Sequence, residues 1–167
     1  MAKKKGKKKY IVLLIALVII LAVAYVYFFI ISPTFVVKPV ITKTALGEDI
    51  GASNVNWMVN ELGAYKLHSD PLSGEPAVME IEITDTGEKF AVTIDGNVPS
   101  TEESAAASPD IRIKVGSADF TELYKSEDIV TKAVAMQKQG KVQIELLKGM
   151  VELAAKGYKA IYDELQV

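Results

Sequence analysis

The chain has 167 residues, 50% of them hydrophobic, with 19 basic against 21 acidic side chains, one histidine and no cysteine. The missing cysteines exclude disulfides, thiolate nucleophiles and cysteine-ligated metals, and His68 alone cannot make a histidine cluster for a transition metal. The near-neutral total hides a split: six bases (Lys3, Lys4, Lys5, Lys7, Lys8, Lys9) precede residue 10, which leaves 13 bases against all 21 acids and a remainder of about −8, a surface that repels nucleic acid rather than tracking its backbone.

Residues 10–31 read YIVLLIALVIILAVAYVYFFII, an uncharged run of 22. At about 1.5 Å per residue it spans about 33 Å as a helix, enough for a hydrocarbon core of about 30 Å. The spacing predicts a single-pass transmembrane helix over 10–31 behind a cytoplasmic basic segment, 1–9. Lysines before the run and none after it until Lys38 put Met1 in the cytoplasm and the remainder outside, by the positive-inside rule. Two rivals exist. Ala22-Val23-Ala24 has the form of a signal-peptide cleavage site, although Tyr25 to Ile31 stay apolar beyond it. A pilin-type leader would place a cleavage point near Gly6, although three lysines follow it and no acid lies in the run. The lysine cluster needs no DNA: a basic arm beside a membrane meets anionic lipid first.

Residues 32–52 read as a linker, stiffened by Pro33 and Pro39 and loosened by Gly47 and Gly51, in which Phe35 to Ile41 (FVVKPVI) forms a short edge strand. Residues 53–167 make one domain. Ser53 caps a helix to about Leu67 with Val55, Met58, Val59, Leu62 and Tyr65 on one face. Met79, Ile81 and Ile83 alternate with Glu80 and Glu82, the latter pair reading as the solvated side of a hairpin; Phe90, Val92 and Ile94 form its return strand, closed by Gly96-Asn97. Thr101 to Pro109 is a polar loop, and Ile111, Ile113 and Val115 mark a third strand. Ser117 opens a short helix and Ser126 a second, to about Gln139. Val142, Ile144 and Leu146 mark the last strand, and one helix runs from Met150 to Leu165. The order α-β-β-β-α-α-β-α is an α+β domain, one small sheet covered by helices, carried behind the N-terminal transmembrane helix.

Little catalytic chemistry is in view. Ser69 and Asp70 adjoin His68, but sequence neighbours rarely aim at one another as a triad requires. Glu102, Glu103 and Asp110 could face a hard cation, without the spacing of an EF-hand loop. No glycine-rich strand-to-helix loop cradles a phosphate. The remaining asset is an apolar inventory on the helices, which periodicity alone reads as core.

The segment Pro109 to Leu165 carries three motifs: the strand Asp110-Ile111-Arg112-Ile113-Lys114-Val115, the short acidic and aromatic helix Ser117-Ala118-Asp119-Phe120-Thr121-Glu122-Leu123, and Gln139-Gly140-Lys141-Val142-Gln143-Ile144 before the last helix. These resemble the sterol carrier protein family of lipid-transfer domains, and the Val78 to Gly96 hairpin fits the family's preceding strands. The resemblance spans roughly the last 90 to 115 residues. Lys125-Ser126 stands where the family often has Gly-Lys, and Gly149 comes late, differences that bear on the shape of a pocket mouth. The resemblance implies a non-catalytic domain, with no cofactor, that holds or transfers a lipid, fatty-acyl chain or other apolar ligand in a hydrophobic tunnel lined by Phe120, Leu123, Ile129, Val130, Met136, Val142, Ile144, Met150, Val151, Ala154 and Tyr158. Its partners would be the bilayer and that ligand. The alternative is a membrane-tethered interaction module for an envelope protein or filament subunit.

Overall fold

The computed structural model describes residues 5–26, 36–47 and 49–165, and the chain divides into two compact units, Met1–Phe35 and Val36–Val167. In the first unit, Lys5–Val26 forms helix α1. Past its lysines it is built of Leu, Ile, Val and Ala with no proline, and it is apolar all round, with no polar stripe to match a core. Residues 27–31 of the expected span lie outside the described residues. Among the described residues no helix is long and apolar enough to cross a membrane.

The second unit is an α+β domain around one five-stranded mixed sheet. Its strands are β1 (Ala77–Ile83), β2 (Lys89–Asp95), β3 (Val98–Glu102), β4 (Ile111–Val115) and β5 (Val142–Leu146). They lie in the order β3-β2-β1-β4-β5. The pairs β3–β2, β2–β1 and β4–β5 are antiparallel, and β1–β4 is parallel, with Met79 opposite Ile111 and Ile81 opposite Ile113. Period-two alternation puts Met79, Ile81, Ile83, Phe90, Val92, Ile94, Ile111 and Val115 on one face, all buried.

Strand β3 is absent from the sequence-based order. Gly96-Asn97 does not end the sheet. With φ of +54° and +67° it makes a two-residue hairpin turn into Val98–Glu102, which takes in the start of the expected polar loop. Pro99, which cannot donate to a ladder, is tolerated because β3 is an edge strand.

Helix α2 (Ala52–Glu61) begins one residue before Ser53. Gly51 occupies the cap, and its N–H donates to Asn54 Oδ1 at 3.1 Å. The helix ends early, at Gly63 with φ of +100°, and the chain continues as a 3-10 turn, Ala64–Lys66. Helix α3 (Ser117–Tyr124) starts where expected. Helix α4 (Ile129–Lys138) starts after Ser126, because the Asp128 carboxylate accepts the Thr131 N–H at 3.1 Å and so caps it. The expected last helix is two, α5 (Met150–Ala155) and α6 (Tyr158–Leu165), divided at Gly157 with φ of +89°. A Cβ at Gly157 would also come 3.1 Å from the Lys66 carbonyl oxygen, so the elbow packs on the 3-10 turn.

Residues 36–41 form no strand; Phe35 lies outside the described residues. Residues 36–47 instead run as a strap against the helices. Asn60 Nδ2 donates to the Pro39 carbonyl, Tyr124 Oη to the Thr44 carbonyl, and Lys43 Nζ to the Tyr124 carbonyl at 2.7 Å. The Lys43 ammonium also lies 4.2 Å from the centre of the Trp57 ring and 4.8 Å from that of Tyr124. The core of the unit, from Val55 and Leu67 through Phe90, Phe120 and Met136 to Tyr158, is contiguous and lies wholly within 36–167.

Candidate functional site

One end of the helix-covered face is not filled. Met79 of β1, Ile111 and Ile113 of β4, and Ile144 and Leu146 of β5 floor a cavity of about 360 Å³. Its roof is Val59 and Leu62 of α2, Ala64 of the 3-10 turn, Met150, Leu153 and Ala154 of α5, and Tyr158, Ile161 and Tyr162 of α6. The hollow follows from local structure. Because Gly157 breaks the last helix, α5 is only six residues long and presents Leu153 inward with Ala154 beside it. Ile113 and Ile144 therefore stay half-buried, whereas their neighbours under the other helices are covered. Leu146, Met150 and Tyr162 line the cavity and also stand exposed at its rim. Lys159 is the one charged side chain among the described residues that line it.

Beside the cavity lies a buried polar cluster. Asp110 Oδ1 accepts from Lys156 Nζ at 2.7 Å, and Asp110 Oδ2 accepts from the Val78 N–H at 2.8 Å and lies 3.0 Å from Tyr158 Oη. The backbone of Asp110 is held as well: its N–H donates to the Val78 carbonyl, and its carbonyl accepts from Leu147 and Lys148. Asp110, Lys156 and Tyr158 are all buried. Burial, then the negative charge of Asp110, pushes the Tyr158 phenol well above its ordinary range, so it stays a neutral hydroxyl. The cluster bolts the α5–α6 elbow to the starts of β1 and β4, and one wall of the cavity is thereby fixed.

Of the residues that the resemblance implicates, Ile144, Met150, Ala154 and Tyr158 line the cavity. Phe120, Leu123, Ile129, Met136 and Val142 are buried in the core away from it, Val130 is half-buried against that core, and Val151 is exposed. Sequence reasoning missed the floor residues Met79, Ile111 and Ile113 and the roof residues Val59, Leu62, Leu153 and Ile161. Each carries the signal of an inward-facing position, but nothing in the chain marks which inward positions face a gap.

The other chemistry considered in the sequence is placed as follows. The Asp70 carboxylate accepts the Leu72 and Ser73 N–H groups, which lower its pKa and engage it in a turn, while His68 Nδ1 meets the Ser69 carbonyl at 2.9 Å. Glu103 accepts the Ala52 N–H and Asp110 is buried, so these two do not share a cation site with Glu102; among the described residues no acidic or histidine cluster is placed to hold a metal ion. Glu80 is not on a solvated face. It is 1% exposed, on the side of the sheet away from the cavity, where it accepts from Arg112 Nε at 2.7 Å, the Ala106 N–H at 3.0 Å and Lys89 Nζ at 3.4 Å. Burial opposes its charge, but these donors outweigh it and hold the carboxyl below its ordinary range. Glu145 extends the ladder to Arg112 and Lys114.

No protein-family model matches the chain, and no curated protein matches it. Among solved structures it is similar to the UbiJ-SCP2 ubiquinone synthesis protein, with 10% identity over 68% of this chain and 88% of that one and a TM-score of 0.39. It is also similar to palmitated SCP2L2 from Aedes aegypti, with 21% identity over 65% of this chain and 91% of that one and a TM-score of 0.34. A third is the sec-alkylsulfatase Pisa1 from Pseudomonas sp., with 17% identity over 60% of this chain but only 14% of that one and a TM-score of 0.35.

Proposed function

We propose that the 36–167 unit is a non-catalytic binding domain for a lipid or other molecule with an acyl chain, held in the cavity between the β1–β4–β5 floor and the α5–α6 roof, and that the N-terminal run anchors it in a membrane. The cavity carries the reading. Its volume of about 360 Å³ lies in the range of small-molecule sites, and apart from the exposed Lys159 its walls are aliphatic and aromatic with one buried hydroxyl, already engaged by Asp110. Such a lining favours methylenes. About ten of them at about 0.8 kcal/mol each give about 8 kcal/mol, the scale of a micromolar complex before the costs of association.

The anchor rests on sequence: the uncharged run 10–31 and the six lysines before it. The topology rule assigns the N-terminus to the cytoplasm and 36–167 to the outer side. A peptide link to a helix inserted in the bilayer would keep a lipid-binding domain within reach of its ligand.

The test is native mass spectrometry of the Val36–Val167 unit, whose core is its own, with solvent extraction of what co-purifies and titration with a fluorescent fatty acid. A stoichiometric apolar ligand, or uptake that Ala154→Trp weakens about tenfold or more while thermal unfolding is kept, supports the reading. A bare mass and no uptake overturn it. For the anchor, protease added outside intact cells should degrade 36–167; protection there would overturn the orientation.

A further inference from the structure

The cavity opens at a corner of the domain where large apolar side chains stand in water together. Leu146 and Leu147 lie at the end of β5, Met150 and Val151 in the first turn of α5, and Tyr162 on α6; Met150 is 70% and Val151 86% exposed. Among the described residues, the other exposed large apolar side chains of the unit, Val37, Val40, Leu72 and Val98, are scattered over the strap, a loop and the edge strand β3. Single apolar residues on a surface need no partner, whereas a contiguous cluster does.

We infer that this corner docks on a lipid bilayer, with Met150 and Val151 sunk to the boundary between headgroups and acyl chains, so that the cavity opens into hydrocarbon rather than water. The inference rests on the reading of the cavity as an acyl-chain site. Continuity argues for it first. Leu146, Met150 and Tyr162 belong both to the cavity wall and to the exposed corner, so whatever covers the corner also closes the mouth. A chain leaving the cavity passes over these residues, and a bilayer is the partner that both covers them and accepts the chain without wetting it.

Charge argues for it next. Beside the crest, Lys148, just ahead of α5, pairs with Glu152 at 3.4 Å, Lys156 beyond them is held by Asp110, and the exposed Lys159 of the cavity wall has a long stem that carries its ammonium to headgroup level. The crest therefore enters a headgroup layer without burying an unpaired ion. The domain's acidic balance directs it to neutral rather than anionic headgroups.

The chain has no cysteine, so a single introduced one takes a fluorophore uniquely. The Val36–Val167 unit is labelled with an environment-sensitive dye at Val151→Cys, and separately at Leu72→Cys, an exposed position away from the corner, and each is mixed with phosphatidylcholine vesicles. Fatty-acid uptake by the unlabelled unit is measured in parallel without vesicles. A blue shift at position 151, quenched by a lipid carrying a shallow quencher and absent at 72, is the expected result. No shift at 151 with uptake intact overturns the docking and leaves the cavity reading standing. A shift at both positions signals general adsorption and overturns it, as does a concentration-dependent shift at 151 without vesicles, which would mark a second copy as the occupant. Absence of both shift and uptake removes the cavity reading along with the docking.

Discussion

The two ends of the helix-covered face of the sheet are built from the same kinds of side chain and end in opposite states. Toward Phe90, Val92 and Ile94, helices α2 and α3 bring in Val55 and Phe120, and every one of these is fully or nearly fully buried. Toward Ile113, Ile144 and Leu146, the roof is a six-residue helix, an elbow and α6, and a cavity remains. The strands alternate equally well in both halves. What differs is the cover: continuous helices with an aromatic residue aimed inward on one side, and a helix broken at Gly157 with Ala154 in its lining on the other. Hydrophobic pattern thus selects which residues leave water, while helix length and the size of one or two side chains decide whether they meet.

Substitutions in the two halves would break or sharpen this contrast. Phe120→Ala should have the largest effect, about 4 kcal/mol in denaturant unfolding, because it empties a site in the packed half. Ile144→Ala, over the hollow, should cost about 1 kcal/mol. Equal losses at the two positions would dissolve the distinction. Lys156→Met should cost about 3 kcal/mol, since it leaves Asp110 buried without its cation; adding Asp110→Asn should recover part of the loss in a double-mutant cycle.

Overpacking provides a sharper form of the comparison. Val92→Phe should destabilise by about 1–3 kcal/mol, whereas Ile113→Phe, facing empty space, should stay within about 1 kcal/mol and reduce ligand uptake. A further effect lies on the opposite face of the sheet. The folded-state pKa of Glu80 is lowered, so its stabilisation is present above the unfolded carboxylate range and is lost as pH falls through the lower folded value. Glu80→Gln should cost about 1–2 kcal/mol at neutral pH and flatten the fall in stability below about pH 4, as read from thermal unfolding against pH.

The strands β1, β2, β4 and β5 are legible in the chain because each alternates strictly, as in Met79, Ile81 and Ile83 against Glu80 and Glu82. Strand β3 is not, because Val98-Pro99-Ser100-Thr101-Glu102 offers one large apolar side chain and a proline; its place comes from pairing with β2. The division of the last helix is hidden for a related reason. Tyr158, Ile161, Tyr162 and Leu165 continue the helical stripe set by Met150, Val151 and Ala154, and only the left-handed backbone at Gly157 interrupts it. The site is half legible. Ile144, Met150, Ala154 and Tyr158 fall on the last strand and the last helical region, where the family resemblance points. Phe120 and Met136 have the same character but fill the core, and their difference from the lining residues lies in what stands opposite, which one chain position cannot encode. Glu80 was hidden by its own alternation: the pattern gives the face but not the loop at Ala106 and the guanidinium of Arg112 that close over it.

The elbow at Lys156-Gly157 divides the roof into two leaves of unequal tenure. Tyr158, at the start of α6, is pinned beside Asp110, and α6 also meets α4 and the 3-10 turn; α5 leans chiefly on α6. A short helix with one main neighbour is the cheapest part of such a domain to lift. The roof is thus one fixed leaf, α6, and one lighter leaf, α5, which is tied to Asp110 at both of its ends, through the Lys148 N–H and the Lys156 ammonium.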